Sequence, residues 1–328
     1  MNVAVLGAGS WGTALSILLA RNQHQVHLLG RDAAEIEQIQ ADRENKEYLP
    51  GHRLPENIKI GLIEDMGTGH DFVVVAVPSS AVRACVASIP GDNEFIVLAS
   101  KGLEPGTSKL LSQVAKEEKP NALVGAISGP NLAVEIVQGI PTAALAACPD
   151  ETAVAKVCEA FQSRSFRVYY SDDLIGIELA GALKNVLAIG AGMADGLGYG
   201  DNTKGALLAR GLGEMTRLGL KMNAKIDTFF GIAGVGDLFA TASSKLSRNY
   251  RVGIALGKGQ SVQEALASIG QVAEGINTAE CVDALAKQYG VELPILSLIH
   301  RVIQGHVKAS DAVSALMERE PRRECLMP

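Results

Sequence analysis

Along the first half of the chain, hydrophobic positions fall into short unbroken runs separated by longer polar or amphipathic stretches. The runs are the opening one from Asn2 to Leu6, then Gln25 to Leu29, Asp71 to Val77, Phe95 to Ala99, Ala122 to Ile127, Thr142 to Ala147 and Arg167 to Tyr170. Continuous apolar runs, as opposed to strict alternation, mark strands covered on both faces. Between them, Ala33 to about Arg43, Ala81 to Ile89 and Glu151 to Gln162 read as helices. The stretch through Tyr48, Pro50, Gly51 and Pro55 reads as a loop. Strands alternating with helices predict an α/β domain with a doubly wound, mainly parallel sheet of the Rossmann type.

The texture changes near Ser171. Ile175, Leu179, Leu183 and Leu187 recur at spacing four, with Ala182, Val186 and Ile189 widening the stripe. Ser261-Val262-Gln263-Glu264 is a capping box ahead of another helix, and a further helix from about Thr278 to Tyr289 stops at Gly290. The expectation is a dinucleotide-binding domain over residues 1–170 and an all-α substrate and catalytic domain over 171–328. Val186 to Met193 is bounded by Lys184 and Asp195 and interrupted by glycines, so it predicts a buried core helix and no integral membrane segment.

The first strand runs into Gly7-Ala8-Gly9-Ser10-Trp11-Gly12, a G-x-G-x-x-G turn followed by a helix. In such a turn Gly7 permits the tight bend, Gly9 lets the backbone approach phosphate oxygen, and Gly12 lets the helix pack against the strand. Free N–H groups at the helix start then hold a pyrophosphate. The second strand ends at Gly30-Arg31-Asp32. Arg31 is placed to fork onto a 2′-phosphate, which favours NADP(H), whereas Asp32 in the role of ribose ligand would favour NAD(H).

Composition narrows the classes of function. Among 328 residues the formal net charge is −6, and no block of like charge occurs, which excludes a nucleic-acid footprint and a polybasic membrane patch. Cys85, Cys148, Cys158, Cys281 and Cys325 are odd in number and lack C-x-x-C spacing, which fits a reducing cytoplasm. The six histidines show no ligand spacing, so no metal site is expected. The apolar N-terminus has no basic flank and is broken by glycines, as a strand is and a signal peptide is not.

Three features of the second half carry chemistry. Lys184 interrupts the apolar helix Leu179-Ala180-Gly181-Ala182-Leu183-Lys184-Asn185-Val186-Leu187. Buried, its ammonium would lose protons readily and serve as a proton acceptor; alternatively, its stem packs while the ammonium reaches water or Glu178. Gly234-Val235-Gly236-Asp237 is a glycine turn presenting a carboxylate. Ser247-Arg248-Asn249 combines a hydroxyl, a guanidinium and an amide, either as a phosphate clamp or as an N-cap followed by a solvated arginine.

Together these residues resemble the bacterial-type NAD(P)-dependent glycerol-3-phosphate dehydrogenase family, over essentially the whole chain. The carrying segments are GAGSWGTALS, SKGLEPGT around Lys101, ISGPN around Gly129, the block from Glu178 to Met215, GIAGVGDLFAT, LSRNYRVG and VAEGINTA. The resemblance implies that Lys184 exchanges a proton with the substrate C2 oxygen, interconverting glycerol 3-phosphate and dihydroxyacetone phosphate. It assigns Lys101, Gly129, Asn131, Asp237, Ser247, Arg248 and Asn249 to a small phosphorylated three-carbon substrate. Besides Gly7, Gly9 and Gly12, it places Ser10, Trp11, Arg31, Tyr48, Lys101, Ala133, Arg248, Val272 and Glu274 around the cofactor. It also implies a homodimer that supplies glycerol 3-phosphate for phospholipid synthesis. The chain departs from the family at Ser128-Gly129-Pro130-Asn131-Leu132, where Ser or Thr followed by Phe is usual. Two other readings are a 3-hydroxyacid or 6-phosphogluconate-type dehydrogenase and a nicotinamide-binding sensor without turnover.

Overall fold

A computed structural model describes residues 1–91, 94–270 and 272–318. Cys325 lies outside the described residues. Among the described residues eight strands form one sheet: β1 (Asn2–Leu6), β2 (Gln25–Gly30), β3 (Ile58–Leu62), β4 (Phe72–Val75), β5 (Phe95–Leu98), β6 (Leu123–Ser128), β7 (Thr142–Ala147) and β8 (Phe166–Ser171). Their order is β3-β2-β1-β4-β5-β6-β7-β8. Every neighbouring pair is parallel except β6 with β7. The first six strands have the order of the doubly wound dinucleotide-binding sheet.

Seven of the eight strands follow the apolar runs. β3 does not: Ile58-Lys59-Ile60 alternates on a sheet edge and follows a Pro-rich loop, so its apolar signal is too short to stand out. The inner strands are buried nearly along their length, and Phe72, Phe161 and Phe166 are the largest fully buried side chains of this unit.

The chain divides into two compact units, Met1–Ser100 with Leu111–Leu174, and Lys101–Leu110 with the chain from Ile175 onward. A single break near residue 170 does not describe the ten residues Lys101–Leu110, which leave the sheet unit and return. Leu103 and Leu110 form an isolated antiparallel bridge and are fully buried in the helical core. Burial of two leucines, worth about 1.5–3 kcal/mol each, ties this excursion to the helices.

The helical unit is organised around Leu174–Gly196, in which every residue from Gly176 to Ala194 is buried. The stripe at spacing four understates it, since the helix is covered on all sides. Its length and hydropathy are sufficient to cross a bilayer, contrary to the length argument from sequence. What makes it a core helix is protein packed around it. The helix Arg248–Gly257 crosses it at glycine: a Cβ on Gly192 would lie 2.1 Å from Tyr250 O, and one on Gly253 would lie 2.0 Å from Ile189 O. The expected capping box is present, with the Ser261 hydroxyl accepting from Glu264 N and the Glu264 carboxylate accepting from Ser261 N. The helix ending at Gly290 begins at Glu274, four residues before the expected start.

Candidate active site

In the sheet unit, β1 ends in a turn whose geometry is local. Gly7 has φ +113° and donates its N–H to Leu29 O at 2.7 Å. A Cβ on Gly7 would meet Ala76 O at 2.6 Å, and one on Gly12 would meet Gly7 O at 1.9 Å, whereas one on Gly9 would meet nothing within 4 Å. Two glycines are therefore consumed by the fold, and the third borders open space beside the start of helix Ser10–Arg21. That arrangement fits a dinucleotide pyrophosphate approaching the backbone. The turn is braced by the buried Asn45 amide, which donates to Ala8 O at 2.6 Å and to Thr13 Oγ1 at 2.9 Å. Trp11 donates its indole N–H to Ala99 O at 3.0 Å.

Arg31 is exposed at the end of β2. Asp32 caps the next helix, its Oδ1 accepting from Glu35 N at 3.0 Å. The neighbourhood is acidic: burial, with Glu47 and Asp32 close by, raises the Glu35 carboxyl, while a hydrogen bond with Glu47 raises the Tyr48 phenol. Gly129 follows β6 with φ +145°, and a Cβ there would lie 3.0 Å from Ala143 O. Asn131 donates to Ala143 O at 3.2 Å, so its amide nitrogen is turned back onto β7. Ala133 begins a short helix, Ala133–Val137.

In the helical unit, Lys101, Lys184 and Asp237 come together. Asp237 opens the helix Asp237–Ser243 directly after a π-helical turn, Ile232–Gly236, and its carboxylate is buried. Its Oδ1 accepts from Lys184 Nζ at 2.8 Å and its Oδ2 from Lys101 Nζ at 2.7 Å. Lys184 also donates to Thr241 Oγ1 at 2.5 Å, and Thr241 in turn donates to Asp237 Oδ1 at 3.2 Å. Lys184 is 5% exposed, so its ammonium turns inward to Asp237 instead of reaching water or Glu178.

Burial lowers the Lys184 ammonium to about 8; Asp237 opposes that shift and Lys101 adds to it. Burial alone would raise the Asp237 carboxyl, but the two ammoniums hold it below the usual carboxylate range. The cluster thus keeps Lys184 lowered to about 8 beside a carboxylate held below its usual range. Thr241 was not anticipated from sequence; its signal was its position four residues after Asp237, on the same helix face.

Ser247 caps helix Arg248–Gly257, its hydroxyl accepting from Tyr250 N at 3.2 Å. Arg248 is not solvated as a surface arginine would be: burial depresses its guanidinium, with Glu274 opposing. Asn249 is buried and its amide is engaged with Asn185 and with Gly275. Glu274 opens the helix Glu274–Tyr289, and Val272 just before it is exposed.

Residues 2–154 match the N-terminal family model of NAD-dependent glycerol-3-phosphate dehydrogenase, and residues 173–314 match its C-terminal model. The chain is 44% identical over 329 residues to glycerol-3-phosphate dehydrogenase [NAD(P)+] of Methylibium petroleiphilum, covering 99% of this chain and 98% of that one. It is 41% identical over 326 residues to the protein of the same name from Clostridium perfringens, covering 98% of each. A crystal structure of glycerol-3-phosphate dehydrogenase from Coxiella burnetii superposes with a TM-score of 0.93 at 37% identity, covering 97% of this chain and 99% of that one. The chain belongs to the NAD-dependent glycerol-3-phosphate dehydrogenase family.

Proposed function

We propose that the protein interconverts sn-glycerol 3-phosphate and dihydroxyacetone phosphate with NADP(H) or NAD(H), and that Lys184 is the catalytic proton acceptor and donor. The observation that carries this reading is the buried Lys101–Asp237–Lys184–Thr241 cluster. Two of the three donors on Lys184 are spent on Asp237 and Thr241. In this reading the amine's remaining position meets the substrate C2 oxygen. When bound, the nicotinamide supplies or takes up the hydride at C2. In the oxidative direction neutral Lys184 takes the hydroxyl proton, and Asp237 stabilises the ammonium that forms. In the reductive direction the ammonium returns that proton to the oxygen of dihydroxyacetone phosphate.

Substrate is held by Lys101, Gly129, Asn131, Asp237, Ser247 and Arg248, with Asn249 at the start of the same helix. Arg248 supplies the guanidinium for phosphate, and the unpaired N–H groups behind the Ser247 cap add to the anion site. The cofactor is held by Gly7, Gly9, Ser10, Trp11, Gly12, Arg31, Tyr48, Lys101, Ala133, Arg248, Val272 and Glu274. NADP(H) is preferred because Arg31 is exposed for a 2′-phosphate while Asp32 is committed to its helix cap. The protein functions as a cytoplasmic homodimer supplying glycerol 3-phosphate for phospholipid synthesis, an extension that rests on family resemblance; light scattering in solution tests the dimer.

The direct test is spectrophotometric. Dihydroxyacetone phosphate with NADPH or NADH should give loss of nicotinamide absorbance. Absence of turnover with both cofactors would refute the activity, and turnover of 3-hydroxyacids in its place would reassign the substrate.

A further inference from the structure

In the sheet unit, helix Ala33–Asp42 is followed by a loop that folds back on itself before β3. Arg43 turns the chain with φ +51°, Leu54 N donates to Arg43 O at 2.7 Å, and Glu44 and Arg53 form an antiparallel bridge that closes the base. Leu49 and Leu54, each 1% exposed, anchor the loop in the core, and Asn45 is buried to the same degree. The Asn45 amide is spent at both ends. Its Nδ2 donates to Ala8 O at 2.6 Å and to Thr13 Oγ1 at 2.9 Å, while its Oδ1 accepts from Tyr48 N at 3.1 Å. A backbone acceptor on one side and a backbone donor on the other fix which way the amide faces.

Ala8 lies between Gly7 and Gly9 in the glycine turn. Its carbonyl shares one trans peptide plane with the Gly9 N–H, and in such a plane the two point in opposite directions. A carbonyl drawn to Asn45 therefore turns the Gly9 N–H away from the loop. Gly9 is also the N-cap of helix Ser10–Arg21 and the glycine of the turn that borders open space. We infer that Asn45 is a positioning residue for the nucleotide: by holding Ala8 O it aims the Gly9 N–H at the pyrophosphate, and by holding Tyr48 N it keeps the loop against the same turn. Without the amide, Ala8 O keeps only the longer bond from Thr13 Oγ1, at 3.5 Å, and Tyr48 N loses its acceptor. The peptide that presents the Gly9 N–H is then free to rotate.

This inference rests on the proposed assignment of Gly9 and Tyr48 to the cofactor. Its test titrates NADPH into the substrate-free protein and follows quenching of Trp11, the chain's single tryptophan, alongside steady-state turnover. Asn45→Ala should bind NADPH about tenfold more weakly, and NADH by about the same factor, because both carry the pyrophosphate. With nucleotide saturating, kcat and the KM for dihydroxyacetone phosphate should stay within about threefold of wild type. Asn45→Asp has the same shape and still accepts from Tyr48 N, but it lacks both donors. It should bind NADPH at least as weakly as the alanine variant, and it carries the test should that variant fail to fold. In a Gly9→Ala background, where the approach of phosphate is already obstructed, Asn45→Ala should cost less than about threefold. Wild-type NADPH affinity in a folded Asn45 variant overturns the inference, as does a loss of kcat matching the loss of affinity. A full tenfold loss added to that of Gly9→Ala also overturns it. Wild-type NADPH binding tests the cofactor assignment itself and comparison of the variants with wild type tests Asn45, so the two fail separately.

Discussion

The glycine turn of the sheet unit and the lysine cluster of the helical unit both prepare a place for charge, but they are assembled differently. The turn uses backbone from Gly7 to Gly12, and its shape follows from a strand, a bend and a helix start that are contiguous in the chain. The cluster uses side chains from three separate segments: Lys101 on an excursion from the sheet, Lys184 on the central helix, and Asp237 and Thr241 on one helix beyond a π-helical turn. In the turn, orphaned N–H groups remain exposed to a ligand, and no ionised group is desolvated to make the site. In the cluster, a carboxylate and an ammonium are buried together, and each is tolerable only because the other is there. Local geometry is therefore robust to distant change, whereas the cluster depends on every segment that feeds it.

That contrast can be broken at several points. The largest effect is expected for Lys184→Ala, which should lower kcat by about 10³-fold while leaving NADPH binding within about threefold, measured by stopped-flow turnover and fluorescence titration. A large loss of nucleotide binding would show that the cluster is structural. Asp237→Asn leaves two ammoniums facing each other without a carboxylate. Turnover should fall about 10²-fold and thermal unfolding should shift downward, since breaking a buried pair costs about 3–5 kcal/mol; an unaltered melting curve would contradict the burial argument.

Gly9→Ala should separate folding from binding, with an unchanged melting temperature and about tenfold weaker NADPH binding, because the added Cβ meets nothing within 4 Å and would stand where a turn of this kind lets backbone approach phosphate. Gly12→Ala is the internal control, for it should destabilise the fold outright. A smaller change, about fivefold in kcat, is expected for Thr241→Val, which removes one hydrogen bond from Lys184 without removing charge. The pH dependence sharpens the same point. With Lys184 lowered to about 8, glycerol 3-phosphate oxidation should rise with pH through that value as the amine becomes neutral. Reduction, which needs the ammonium, should fall over the same interval. A rate flat between pH 7 and 9 in both directions would remove Lys184 from the proton path.

Much of the fold was legible because burial on both faces writes continuous apolar runs, as in Phe72–Val75 and Phe95–Leu98. The edge strand Ile58–Leu62 escaped because an edge needs fewer apolar residues. Among site residues, Lys184 drew attention as a charge within an apolar helix, and Asp237 as a carboxylate on a glycine turn. Thr241, Asn185 and Asn45 gave no comparable signal, since a lone threonine or asparagine reads equally well as surface. Asn249 was visible, but the direction of its amide was not.

The sequence by itself determined the alternating sheet unit, the glycine turn and the residue types available for proton transfer, because strand burial, helix capping and tight turns are set by neighbours within a few residues. Only the tertiary structure decided that Lys101 belongs with the helices, that Lys184 turns inward to Asp237 and Thr241, and that the Asn249 amide is spent on Asn185 and Gly275. Those outcomes depend on which distant groups share a low-dielectric space, where an ammonium keeps or loses its proton according to what lies within hydrogen-bond reach.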